Sequence, residues 1–283
     1  MQELTVTAAE PRYVAPTLRD RIGRIWAPVL INGQGPFRLV LDTGASKSAV
    51  TAKVAEALGM TLVYPGTITM YGATGTVKVP SIPVDSLEVG DLLMEPTRLP
   101  IVPDALGGAE GVLGTEGLAN MRITIEFHHD RITITRSRFE RAGPGFVTVP
   151  VQFLRGRLLV ADAWVGGVRT KAIIDTGGQS TLGNLALRDA LARRRSSPTP
   201  VSDEITGATL DIEFGDRIAT PAVAMGDIIV KHPAMTFSDF SIFKHWKLTN
   251  EPAMLVGMDL LGLIDTLIID YRRRELQIRL HRS

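Results

Sequence analysis

The chain repeats itself, and the repeat constrains its fold more than any other feature. Leu39-Val40-Leu41-Asp42-Thr43-Gly44 recurs as Ala172-Ile173-Ile174-Asp175-Thr176-Gly177, with positions 42 and 175 lying 133 apart. At the same spacing Gly23-Arg24-Ile25 recurs as Gly156-Arg157-Leu158, and Gly33 as Gly166. The offset then drifts upward. Gly72-Ala73-Thr74 matches Gly207-Ala208-Thr209 at 135, and Val89-Gly90-Asp91-Leu92 matches Met225-Gly226-Asp227-Ile228 at 136. Gly111-Val112-Leu113-Gly114 matches Met254-Leu255-Val256-Gly257 at 143, and Ile125-Glu126-Phe127 matches Ile269-Asp270-Tyr271 at 144. Matches in one order with a monotonic drift mean two copies of one unit that differ by loop insertions. Arg141-Ala142-Gly143-Pro144-Gly145 is the breaker-rich joint, so the expected lobes are residues 1–145 and 146–283.

Each copy reads mostly as β. Val29-Leu30-Ile31 and Phe37 to Leu41 flank a Gly-rich turn and predict a hairpin, as do Val160 to Val165 and Lys171 to Ile174 around Gly166-Gly167. Ile68 to Val79 around Gly72-Ala73-Thr74-Gly75 predicts a hairpin arm, with Glu204 to Phe214 around Gly207 as its counterpart. Helices are expected only after each Asp-Thr-Gly. Thr51 to Leu58 stops at Gly59, and Asn184 to Arg195 stops before Ser-Ser-Pro. The expected class is all-β and bilobal, with a few short helices.

Composition narrows the function. With 31 Lys+Arg against 30 Asp+Glu the net charge is +1, too balanced for the basic field of a nucleic-acid binder. With 0 cysteines, disulfides, thiolate metal sites and cysteine nucleophiles are ruled out. The most apolar stretch, Met254 to Ile269, is broken by Asp259 and Asp265, so no membrane span is expected. The N-terminus lacks the basic and apolar regions of a signal peptide. An exported protein with its signal removed, periplasmic or secreted, and a cytoplasmic one are both compatible with this sequence.

A carboxylate at the end of an apolar strand, held by Thr-Gly, is costly to bury unless it has a partner or a proton. Two copies related by a pseudo-twofold axis would bring Asp42 and Asp175 together, where like charges share one proton. Such a pair is a general acid and a general base in one site, suited to amide hydrolysis by activated water. No metal or cofactor is called for.

The two Asp-Thr-Gly segments, each followed by an apolar-apolar-Gly motif, resemble the aspartic peptidase family over about residues 23–280. The resemblance implies the pepsin/retropepsin-like acid protease fold and a carboxylate dyad sharing a proton. Length and the two Gly-containing hairpins resemble a fused, single-chain retropepsin-like peptidase of bacterial type, a monomer holding an intramolecular pseudo-dimer. The resemblance further implies that Asp42 and Asp175 are catalytic and that Thr43 and Thr176 bond across the interface. Gly44 and Gly177 would allow close backbone approach, and Gly114 and Gly257 would pack beneath the turns. Tyr71, Gly72 and Ala73 would belong to a flap over an extended peptide or protein substrate, with Gly207 in the second flap. Ala45 matches the retropepsin-like pattern and Gly178 departs from it; neither offers a hydroxyl to the carboxylates, which implies a mildly acidic to near-neutral optimum. The rival reading keeps the fold as an inactive peptide-binding or adaptor protein.

Other features have plainer readings. His128-His129-Asp130 reads as a solvated turn. Phe237, Phe240, Phe243 and Trp246 follow a helical spacing that places them on one face, as core or as the wall of a substrate subsite. Arg193-Arg194-Arg195 reads as a helix end and Arg12, Arg19 and Arg21 as part of an N-terminal strand bridging the lobes.

Overall fold

The apolar run that ends in each Asp-Thr-Gly becomes the second strand of a hairpin. The computed structural model describes residues 4–7, 23–24, 26–60, 66–104, 106–155, 157–194 and 199–281. Trp26–Ile31 pairs antiparallel with Gln34–Leu41, which in turn runs parallel to Gly111–Leu113. Leu158–Val165 pairs with Val168–Ile174, which runs parallel to Ala253–Val256. A strand paired on both edges and covered on both faces reads as a continuous apolar run, and Leu39, Val40 and Leu41 are buried, as are Ala172, Ile173 and Ile174. Burying side chains of leucine or isoleucine size contributes about 1.5–3 kcal/mol each.

Residues 26–113 supply a nine-stranded sheet, and the remaining strands form a fifteen-stranded one. This is the all-β, two-lobed architecture expected from the repeat. The larger sheet draws on both halves, because Met121–Glu126 and Arg131–Arg136 join Ile264–Asp270, Glu275–Leu280 and Val147–Leu154. The register there exposes the symmetry. Thr124 pairs with Ile268, its own repeat equivalent, while Ile123 pairs with Ile269 and Ile125 with Leu267. Equivalent residues that exchange partners in this way lie about a local twofold axis, as in an isologous dimer interface. A buried ion pair fastens the platform: Arg122 donates to Asp270 at 3.1 Å, and Ser137 donates to the same carboxylate at 2.9 Å.

Helix α1 (Ala52–Ala57) closes on Gly59, whose φ of +69° suits glycine. Helix α2 (Leu185–Ala192) is capped by Asn184, which accepts from the Leu187 N–H at 2.9 Å. Helix α3 (Ser241–Trp246) takes up the end of the stretch with helical spacing, and α4 (Met258–Leu261) was not foreseen. The one-faced aromatic stripe is corrected accordingly. Phe237 ends the strand Ala234–Phe237, whose ladder partners on both sides hold it extended, and only Phe240, Phe243 and Trp246 cluster around α3. His128 and His129 lie in an exposed turn between paired strands. Arg12, Arg19, Arg21 and Arg195 lie outside the described residues, but Leu4–Thr7 runs parallel to Ile228–Lys231 in the second half. Among the described residues no helix is long and apolar enough to cross a membrane.

Candidate active site

Both Asp-Thr-Gly segments leave their strands at the same structural point. The N–H of Asp42 donates to the Leu113 carbonyl at 2.9 Å, and that of Asp175 to the Val256 carbonyl at 3.1 Å. Each loop then folds its own N–H groups onto its carboxylate. Asp42 Oδ1 accepts from Gly44 and Ala45 at 2.8 and 2.9 Å. Asp175 Oδ1 accepts from Gly177 and Gly178 at 2.9 and 3.0 Å.

The threonines lock the loops to one another. Thr43 Oγ1 donates to the Ile174 carbonyl at 2.6 Å and accepts from the Thr176 N–H at 3.1 Å. Thr176 Oγ1 donates to the Leu41 carbonyl at 2.6 Å and accepts from the Thr43 N–H at 3.2 Å. Both are buried. The glycines then let the opposite carboxylates approach. A Cβ on Gly44 would lie 2.9 Å from the Asp175 Cγ, and one on Gly177 would collide with the Asp42 carboxylate. Beneath the loops, a Cβ on Gly114 would overlap the Lys47 backbone, and one on Gly257 would lie 2.7 Å from the Ser180 backbone.

The two carboxyls are within hydrogen-bonding reach, and burial pushes both up. They do not behave alike. Asp175 is held well above the usual carboxyl value by burial, by the charge of Asp42 and by the hydrogen bond between them. Asp42 is raised by burial but drawn back by the bond from Asp175, by the Gly44 N–H and by the Arg24 charge. Burial and proximity disfavour ionising both carboxyls at once, and the upward push is stronger on Asp175 than on Asp42.

The two hairpin arms meet at their tips. Gly66–Tyr71 and Thr76–Val84 form the first, Val201–Thr206 and Ile212–Ala219 the second. At their tips the Gly207 N–H donates to Thr74 Oγ1 at 3.0 Å. Helix α3 ties into both arms. The Ile242 N–H donates to the Ala73 carbonyl at 3.2 Å, the Ser241 N–H donates to Glu213 at 3.1 Å, and the Tyr71 ring stacks on His245 at 4.0 Å. Tyr71, Gly72, Ala73 and Gly207 are thus gathered in one roof.

Two parts of the site escaped sequence reasoning. The first is a pair of acids two residues beyond Gly114 and Gly257. Glu116 accepts from the Ser48 N–H, and Asp259 accepts from the Thr181 N–H at 3.0 Å and the Thr181 hydroxyl at 2.6 Å. Ser48 and Thr181 in turn accept from the Gly114 and Gly257 N–H groups at 3.0 and 3.2 Å. A hydroxyl six residues after each Asp and an acid two after each glycine were visible in the aligned repeat. The second is buried Arg24, which donates to the Gly177 carbonyl at 3.2 Å and to the Leu106 carbonyl at 3.3 Å. A separate cavity of about 630 Å³ opens on the second half between Trp164, Leu191, Pro221 and Lys231; neither Asp42 nor Asp175 lines it.

A two-lobed β-fold with paired carboxyls on reciprocal Thr-locked loops is the architecture of the aspartic proteases. Residues 27–116, which span the first Asp-Thr-Gly through Gly114, match the family described as Aspartyl protease. No curated protein matches the chain.

Proposed function

We propose that the protein is an aspartic endopeptidase whose lobes, residues 1–145 and 146–283, each contribute one carboxyl, working as a monomer with an internal pseudo-dimer. The observation that carries this is the meeting of Asp42 and Asp175 on two loops that Thr43 and Thr176 lock reciprocally. The match of residues 27–116 to the Aspartyl protease family supports peptide hydrolysis in general.

Asp42, ionised, takes a proton from a water as its oxygen bonds to the scissile carbonyl carbon. Asp175 gives its proton to the carbonyl oxygen, and the product is a neutral gem-diol. Collapse returns a gem-diol proton to Asp175 and passes the Asp42 proton to the amide nitrogen as the C–N bond breaks. Thr43, Thr176, Gly44, Gly177, Gly114 and Gly257 hold the geometry. The first flap, Tyr71 to Ala73, with Gly207 opposite, closes over an extended peptide and excludes water.

Wild type, Asp42→Asn and Asp175→Asn incubated with a diverse peptide mixture at about pH 3 to 7 test the reading, with cleavage read by mass spectrometry. Cleavage by wild type alone is expected. Absence of cleavage by wild type, or equal cleavage by all three, defeats it, and saturable peptide binding without cleavage would identify an adaptor instead.

A further inference from the structure

Two copies of one unit should use equivalent residues alike, yet Arg24 and Arg157 are used differently. Arg157 is exposed in the turn that precedes strand Leu158–Val165. Arg24 is only 8% exposed, and its guanidinium is spread between the Gly177 carbonyl of the second Asp-Thr-Gly loop and the Leu106 carbonyl of the first half. A cation from one half is thus built against the catalytic loop of the other, on one side of a pair that the backbone makes nearly symmetric.

We propose that Arg24 is a positioning residue that breaks the symmetry of the dyad, fixing Asp42 as the ionised base and leaving Asp175 as the proton donor. This rests on the peptidase reading for its consequence but not for its test. Gly177, to which Arg24 is bonded, packs against the Asp42 carboxylate, and a positive charge held there stabilises the ionised form of Asp42. The titratable and charged groups bearing on the pair come from each element around it. Among the described residues they are Arg24 from the segment before the first hairpin, each carboxyl acting on the other from the two loops, and Tyr271 at the end of strand Ile264–Asp270. The Tyr271 phenol is buried and pushed up by burial and by the Asp42 charge, so it stays neutral and adds no charge to the pair.

The test isolates each carboxyl. With aspartate labelled at the carboxyl carbon, Asp42 is titrated by NMR in Asp175→Asn and Asp175 in Asp42→Asn, each with Arg24, Arg24→Gln or Arg24→Lys. With native Arg24, Asp42 alone should titrate below Asp175 alone; equal or inverted values overturn the proposal without any Arg24 variant. Arg24→Gln keeps an N–H donor and loses the charge, and it should raise the Asp42 midpoint by about one pH unit, a tenfold change in proton affinity. The same change should move Asp175 by less than half as much, and Arg24→Lys should retain most of the native asymmetry. Equal shifts of both carboxyls, or none in Arg24→Gln, overturn the proposal. In the active protein the acid limb of kcat/KM should move up with Arg24→Gln. A wild type that cleaves nothing while Asp42 still titrates lower would remove the peptidase reading and leave the polarity of the pair standing.

Discussion

Replacing Thr43 by valine removes one hydroxyl and almost no volume, so it reports on the lock between the loops. That hydroxyl serves two buried groups from the other half, the Ile174 carbonyl at 2.6 Å and the Thr176 N–H at 3.1 Å. Leaving a buried polar group unpaired costs about 1–3 kcal/mol, so the two orphaned groups sum to about 2–6 kcal/mol. Against a typical total of about 5–15 kcal/mol this is a severe lesion for a near-isosteric change. Thr43→Ser is the control: it keeps the hydroxyl and loses one methyl, worth about 1 kcal/mol. Thr176→Val orphans a different pair, the Leu41 carbonyl and the Thr43 N–H, at equal expected cost. The double variant should cost less than the sum, because loops freed by the first loss can hydrate the groups orphaned by the second. Urea unfolding of the four variants and wild type measures this directly. If Thr43→Val were no less stable than Thr43→Ser, the lock would hold nothing together and the reasoning would fail.

Gly177→Ala should abolish peptide cleavage while the protein stays folded, since its Cβ would displace the Asp42 carboxylate; wild-type turnover would refute this. Asp175→Asn should stabilise the fold near neutral pH. A carboxyl whose folded value is raised gives its full stability below the ordinary value of 3.8 and loses it as pH rises through the folded value. The gain of the asparagine variant should therefore fade as pH falls towards that value, and a gain constant with pH would contradict the cause. Tyr71→Ala removes the stack on His245 and should speed amide exchange in the hairpin Gly66–Val84 while leaving Val201–Ala219 nearly unchanged; equal effects on both arms would sink the assignment of this contact. Cleavage should be best at mildly acidic to near-neutral pH, because Asp175 keeps its proton well above the usual carboxyl range. A maximum below about pH 3 would refute that.

The parts of this molecule that the sequence revealed are those encoded by neighbours along the chain. A hairpin needs only two apolar runs and a turn, so both strand pairs leading to Asp42 and Asp175 and both flap arms were readable, and Asn184 and Gly59 marked helix ends. The twofold relation was readable too, because it is written twice. What stayed hidden depends on side chains meeting across long separations. Arg24 gives no local sign that its guanidinium reaches Gly177, and the arginine at its equivalent position is exposed. Phe237 followed a helical spacing, but ladder partners on both sides of its strand overrode it.

The slow drift in the repeat also says where the halves should differ. The offset rises only from 133 to 136 between the first Asp-Thr-Gly and Gly90, then jumps to 143 by Gly114. Extra residues in the second copy therefore fall between Gly226 and Gly257, and that stretch contains α3. The same helix holds the Ala73 carbonyl of the first hairpin arm and binds Glu213 of the second, and its Phe243 shares a cluster with Ala73 and Ile205. The counterpart stretch after strand Thr97–Val102 forms no helix within the described residues 106–110 and sends Leu106 into a cluster with Trp26, Ala45 and Met70. One half thus has its extra residues in a structure that contacts both hairpin arms, while the loops keep their symmetry in Thr43 and Thr176, as does the pairing of Thr124 with Ile268. The reciprocal threonine lock places the two carboxyls symmetrically, while α3 and buried Arg24 make the surroundings of an otherwise twofold pair unequal.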